Sequence, residues 1–218
     1  MITNRNIHWA IRVVREMVEE WREPAVTRVS RRRDPFKVLI ACVLSLRTKD
    51  EVTAQASSRL FAEADTPEAI LRLSEQKIAD LIYPAGFYRT KSKNIRKICS
   101  ILLERYDGKV PREIDDLLGL PGVGRKTANL VITIGYRLPG ICVDTHVHRI
   151  SNRWEYVETR TPDQTEFALR ERLPEKYWIE FNDLLVTFGQ NLCVPISPRC
   201  SLCRLSRSCA KVGVERSR

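Results

Sequence analysis

The sequence predicts an all-α protein, and three observations carry that prediction. Apolar residues recur every three or four positions, alternating strand patterns are scarce, and the same helix-start grammar appears more than once. Ile7, Ala10, Ile11, Val14, Val18 and Trp21 fall on one face of a first amphipathic helix. Phe36 to Leu46 is apolar nearly all round, the pattern of a central helix buried on every side. Asp65-Thr66-Pro67-Glu68 sets a capping hydroxyl before a Pro whose missing N–H costs nothing in a first turn. Asn94 to Tyr106 places Ile95, Ile98, Cys99, Leu102 and Tyr106 on one face, and Ile114, Leu117, Leu118 and Leu120 continue with another helix. Thr161-Pro162-Asp163 repeats the start signal ahead of Phe167, Leu169 and Leu173. No internal repeat is evident, and no Gly-, Pro- or Ser-rich linker divides the chain.

Composition narrows the class. The chain has 218 residues, 43% of them apolar, which supports a real core and excludes a disordered protein. Its longest apolar run, Val38 to Leu44, is far short of the roughly 18 residues a membrane span needs. Met1-Ile2-Thr3-Asn4-Arg5 has no apolar signal core, so a cytoplasmic location and no membrane partner are expected. Thirty-seven Lys and Arg against 27 Asp and Glu leave a net charge of +10, the balance of a chain that meets nucleic acid. The basic residues cluster at Arg28, Arg31, Arg32, Arg33 and Lys37, at Arg89, Lys91, Lys93, Arg96 and Lys97, and after Cys193. Each cluster alone fits a solvated surface equally well; three in a net-positive chain favour a face that binds a phosphate backbone.

Three constellations carry chemistry. Leu120-Pro121-Gly122-Val123-Gly124-Arg125-Lys126-Thr127-Ala128-Asn129 reads as a tight glycine turn between two helices, with amides that suit a phosphate. Gly119, Gly124, Lys126 and Thr127 imitate a P-loop, but Arg125 intrudes and a helix rather than a strand precedes. An ordinary helix–turn–helix corner stays open as the bland reading. In Val143-Asp144-Thr145-His146-Val147-His148, Asp144-x-His146-x-His148 suggests metal ligands on one side of an extended segment, or else Asp144 caps a helix beginning at Thr145 and the histidines are polar packing. With His8 the only other His, a catalytic zinc site is disfavoured. Of seven cysteines, Cys42, Cys99 and Cys142 sit alone in apolar stretches and read as core thiols. Cys193-x6-Cys200-x2-Cys203-x5-Cys209 reads as a metal centre. Only Cys200 and Cys203 form the short pair zinc prefers, so the spacing favours an iron–sulfur cube over zinc, with zinc still open.

Taken together and in this order, the LPGVGRKTAN hairpin, the VDTH segment and the C-x6-C-x2-C-x5-C loop resemble the endonuclease III family of helix-hairpin-helix DNA glycosylases. The resemblance runs from about Asp34 to Cys209. It implies two helical domains flanking a DNA-binding cleft. A six-helix barrel carrying the hairpin spans 28–138, and a discontinuous iron–sulfur domain takes 1–27 and 139–218. It implies a monomeric base-excision enzyme on double-stranded DNA, removing oxidised pyrimidines and cleaving abasic sites. By the same resemblance Lys126 is the nucleophile and Asp144 the catalytic carboxylate. Cys193, Cys200, Cys203 and Cys209 would hold a [4Fe–4S] cluster, and Gly122, Gly124, Arg125, Arg199 and Arg204 would contact DNA. Two further positions belong to strand opening. Arg47 stands where the family usually has Gln, filling the gap left by the extruded base, and differs from it in charge and shape. Phe87, in Gly86-Phe87-Tyr88, matches an apolar wedge position, with a core aromatic as its equal alternative. His148 replaces a more usual apolar residue.

Overall fold

The computed structural model describes residues 1–21 and 34–218, and all regular elements among them are helical. The basic run Arg28, Arg31, Arg32 and Arg33 lies outside the described residues. The chain forms two compact units: a terminal unit of Met1–Pro24 with Ile141–Arg218, and a middle unit of Ala25–Gly140. No helix among the described residues is long and apolar enough to cross a membrane.

The middle unit is built on α2 (Pro35–Ser45), whose residues from Val38 to Leu44 are all buried. Asp34 starts it, its carboxylate accepting from the amides of Phe36 and Lys37 ahead of a Pro in the first turn. Around it come α3 (Asp50–Glu63), α4 (Pro67–Arg72), α5 (Glu75–Ile82) and α6 (Tyr88–Tyr106). The Thr66 hydroxyl caps α4 through the Ala69 amide. Then follow α7 (Ile114–Leu118) and α8 (Arg125–Leu130), which loosens into a π-helical turn at Val131–Gly135. α2 packs against α3, α6, α8 and that π turn, so the unit wraps around one apolar rod. This is the return expected of a helix with no polar face.

The terminal unit joins α1 (Ile7–Val18) to α9 (Thr145–Arg153), α10 (Pro162–Arg172) and α11 (Trp178–Asn191). Its core combines Ile7, Ile11 and Val14 with Ile150, Trp154, Phe181, Leu185 and Phe188. Trp21 lies past the end of α1, where a turn onto Val18 brings it half-buried against that core.

Two expectations need correction. α6 starts at Tyr88, six residues before the apolar period becomes readable, because Lys91 and Ser92 occupy its first inward positions. Phe167 is exposed rather than in the core of α10, whose inner face is made by Thr165, Glu166 and Leu169.

Candidate active site and cysteine cavity

The hairpin is assembled by local rules. α7 ends in a turn, with the Leu120 amide on Leu117 O and the Val123 amide on Leu120 O. Gly122 sits at φ +78°, a conformation that favours glycine, while a Cβ at Gly124 would meet nothing within 4 Å. Gly124 is extended and precedes α8, whose inner residues Thr127, Ala128, Asn129 and Leu130 are buried. Lys126 therefore rides in the first turn of α8 with its side chain exposed, beside half-buried Arg125. Burial pushes the Cys42 thiol of α2 up to about 12, and the nearby Lys126 charge works against that rise. The nucleophile candidate thus sits on a short helix packed against the buried α2.

Asp144 starts α9 and is 9% exposed. Its Oδ1 accepts from the amides of His146 at 2.8 Å and Val147 at 2.9 Å. Helix capping is real here, and it fixes the carboxylate's position without consuming its charge. The two histidines are packing groups: His146 Nδ1 meets Arg149 Nη2 at 3.1 Å, and His148 Nδ1 meets Thr165 Oγ1 at 2.7 Å. Burial holds the His148 ring below its ordinary value.

Arg47 and Phe87 come together, which their separation in the chain did not reveal. Both have left-handed backbones, at φ 51° and 56°. Phe87 is 61% exposed, so the core alternative does not hold. The Arg47 guanidinium lies 5.5 Å from the Phe87 ring centre. A Cβ at Gly86 would lie 2.4 Å from Arg47 O, so only glycine permits this approach.

The four tail cysteines line one small pocket with Trp154, Phe188, Leu192, Arg153 and Lys211. Burial pushes the Cys203 thiol up to about 11, with its three companion thiols adding to the rise. Arg153, itself buried, donates through Nη1 to Cys193 Sγ at 3.4 Å and to Val194 O at 2.8 Å. Cys209 Sγ contacts Arg153 O at 3.4 Å. Among the described residues no three His, Cys, Asp or Glu side chains are gathered as ligands of one metal ion. Arg199 and Arg207 are exposed, whereas Arg204 pairs with Glu16 of α1 at 2.8 Å.

The basic cluster on α6 is not one face. Arg89, Lys93 and Lys97 are exposed, but Lys91 is only 5% exposed and Arg96 turns inward to Leu71 O and Leu73 O. Lys91 shares a helical stripe with Ile95, Ile98 and Leu102, and that spacing is the signal which marks it as inward-facing.

Residues 40–175 match the family described as HhH-GPD superfamily base excision DNA repair protein. The chain is 47% identical over 196 residues to Endonuclease III of Thermotoga maritima, covering 88% of this chain and 92% of that protein. It is 45% identical over 191 residues to the chloroplastic Endonuclease III homolog 1 of Arabidopsis thaliana, spanning 84% of this chain but 50% of that longer protein. A solved structure of a trapped Endonuclease III–DNA covalent intermediate superposes with a TM-score of 0.85 over 97% of both chains, at 33% identity.

Proposed function

The chain belongs to the endonuclease III family of HhH-GPD base-excision repair DNA glycosylases, and we propose that it excises oxidised pyrimidines from duplex DNA and then cleaves the strand at the resulting abasic site. The observation that carries this reading is the place of Lys126, an exposed residue in the first turn of α8 directly after the glycine hairpin. Phosphate binding alone asks for no amine at that point, whereas Schiff-base chemistry does.

In this reading the damaged nucleotide leaves the stack and presents its C1′. Lys126 Nζ, as the free amine, attacks C1′ while the bond to the base breaks, and the base departs with a proton. Asp144 stabilises the positive charge that develops on the sugar. The C1′–O4′ bond then opens, with a proton passing to O4′, to give the iminium; this acidifies the C2′ proton, whose loss expels the 3′ phosphate by β-elimination. Water then hydrolyses the imine and frees Lys126. Gly122, Gly124 and Arg125 bind the backbone, with Arg199 and Arg204 as surface contacts, for which Arg204 must share or leave Glu16. Arg47 fills the gap in the stack and Phe87 wedges beside it.

The cysteine cavity fits a [4Fe–4S] cluster. Its donors are four soft thiols with no carboxylate among them, and the surrounding walls are largely apolar. A cube takes one thiolate at each iron, so its ligands stand farther apart than those of a single zinc ion. Cys193, Cys200, Cys203 and Cys209 would hold it, and when bound it supplies a covalent cross-link that shapes the basic tail. Arg153 orients Cys193 from beneath. The purified protein should absorb broadly near ~400 nm and contain iron. A colourless protein carrying one zinc contradicts this.

The test of the activity is a thymine-glycol duplex incubated with the protein and sodium borohydride. Base release, a strand nick and a covalent protein–DNA complex are expected together. Base release with neither nick nor complex would mark a purely hydrolytic glycosylase, and DNA binding without base release a non-catalytic module.

A further inference from the structure

The most unusual group outside the residues already assigned is the buried ammonium of Lys91. Burying a cation costs several kcal/mol unless every donor is matched. Here each of its three N–H bonds has a partner: Leu44 O at 2.7 Å, Leu46 O at 2.7 Å and the Thr48 hydroxyl at 2.8 Å. The two carbonyls belong to the C-terminus of α2, where a helix's partial negative charge welcomes a cation and where α2 has no basic residue of its own. The chain thus supplies that charge from α6. Thr48 extends the contact, because its hydroxyl donates to Leu46 O at 3.2 Å and accepts from the Gly86 amide at 3.1 Å. Arg47 lies between Leu46 and Thr48, and Phe87 follows Gly86. Both are the left-handed, exposed residues described above. A non-glycine left-handed residue is strained and persists only where its surroundings over-determine it. Lys91, Thr48 and the close approach of Gly86 to Arg47 O are those surroundings.

We infer that Lys91 is a positioning residue for base extrusion: through α2's last carbonyls and Thr48 it pre-sets the two turns that aim Arg47 and Phe87 together at the DNA stack. The inference rests on the reading that this chain extrudes a base. It adds that the opening tools are held ready in the free protein rather than formed on contact. Burial lowers Lys91 to about 8.

Two single-turnover rates measured on the same protein separate positioning from folding. One is base release from a fully paired thymine-glycol duplex; the other is strand cleavage at a preformed abasic site in an unpaired loop, where nothing has to be pushed out. Lys91→Met is expected to lower the first relative to the second by about tenfold. Thr48→Val, which removes the shared oxygen, should move the ratio in the same direction, and Thr48→Ser, which keeps it, should restore the ratio. If Lys91→Met does not fold, the Thr48 pair decides alone. A ratio within about twofold of wild type, or both rates falling in step, overturns the inference. A wild-type protein that cleaves no abasic site instead overturns the lyase reading on which it rests.

Discussion

Two lysines of the middle unit stand at opposite extremes, and the contrast separates chemistry from support. Lys126 is exposed on the first turn of a six-residue helix, near enough to α2 for its charge to reach Cys42. Lys91 is 5% exposed, with all three donors spent on the last carbonyls of α2 and on the Thr48 hydroxyl. The Lys91 ammonium is committed to buried acceptors, whereas Lys126 is a surface residue. A buried, fully bonded ammonium cannot turn toward an incoming sugar without abandoning three acceptors, which is itself a cost of several kcal/mol. The difference teaches that a basic residue's task follows from where its donors go, more than from its place in a basic stretch.

The sharpest way to break the contrast is to remove each amine in turn. Lys126→Ala should abolish borohydride trapping and lower strand cleavage by about a thousandfold or more, while its unfolding free energy stays within about 0.5 kcal/mol of wild type. Asp144→Asn should lower base release by about a hundredfold with little loss of stability, since Asn accepts the same two amides. Asp144→Ala should lose the cap as well, at about 1 kcal/mol in urea unfolding. Lys91→Met should reverse the pattern of Lys126→Ala, costing about 1–3 kcal/mol of stability by removing the ammonium's hydrogen bonds to Leu44 O, Leu46 O and the Thr48 hydroxyl, while trapping at a preformed abasic site persists.

The smallest effect is a slope. Lys91 is held at about 8 in the folded chain and returns to its ordinary 10.5 on unfolding, so between those values the unfolded chain binds more protons. Stability contributed through this group therefore rises with pH across that window. Wild type should show a more positive slope than Lys91→Met, by up to about 1.4 kcal/mol per pH unit in urea titrations. Equal slopes would mean that Lys91 keeps its ordinary basicity.

What could be read in the sequence was whatever short-range rules decide. The Thr66 and Thr161 caps, the buried run of α2 and the hairpin around Gly122 are each set by neighbours within a few positions. Asp144 was readable as a cap for the same reason, and the cap turned out to fix the carboxylate in place. Phe87 was not readable. Its exposure depends on Gly86 fitting against Arg47 O, a contact between distant stretches that no local period encodes. Charge along the chain places Lys91 in a basic cluster. Its stripe with Ile95, Ile98 and Leu102 pointed inward all the same. Arg204 likewise looked available until α1 brought Glu16 alongside.

The central claim is that the exposed lysine, and not the buried one, forms the bond to DNA. Its most direct test is to trap the wild-type protein on an abasic duplex with borohydride, digest the complex, and locate the sugar remnant by mass spectrometry. A single adduct on the peptide containing Lys126 is expected. An adduct on Lys91 or on the amino terminus, or a complex that still forms in Lys126→Ala, would contradict it.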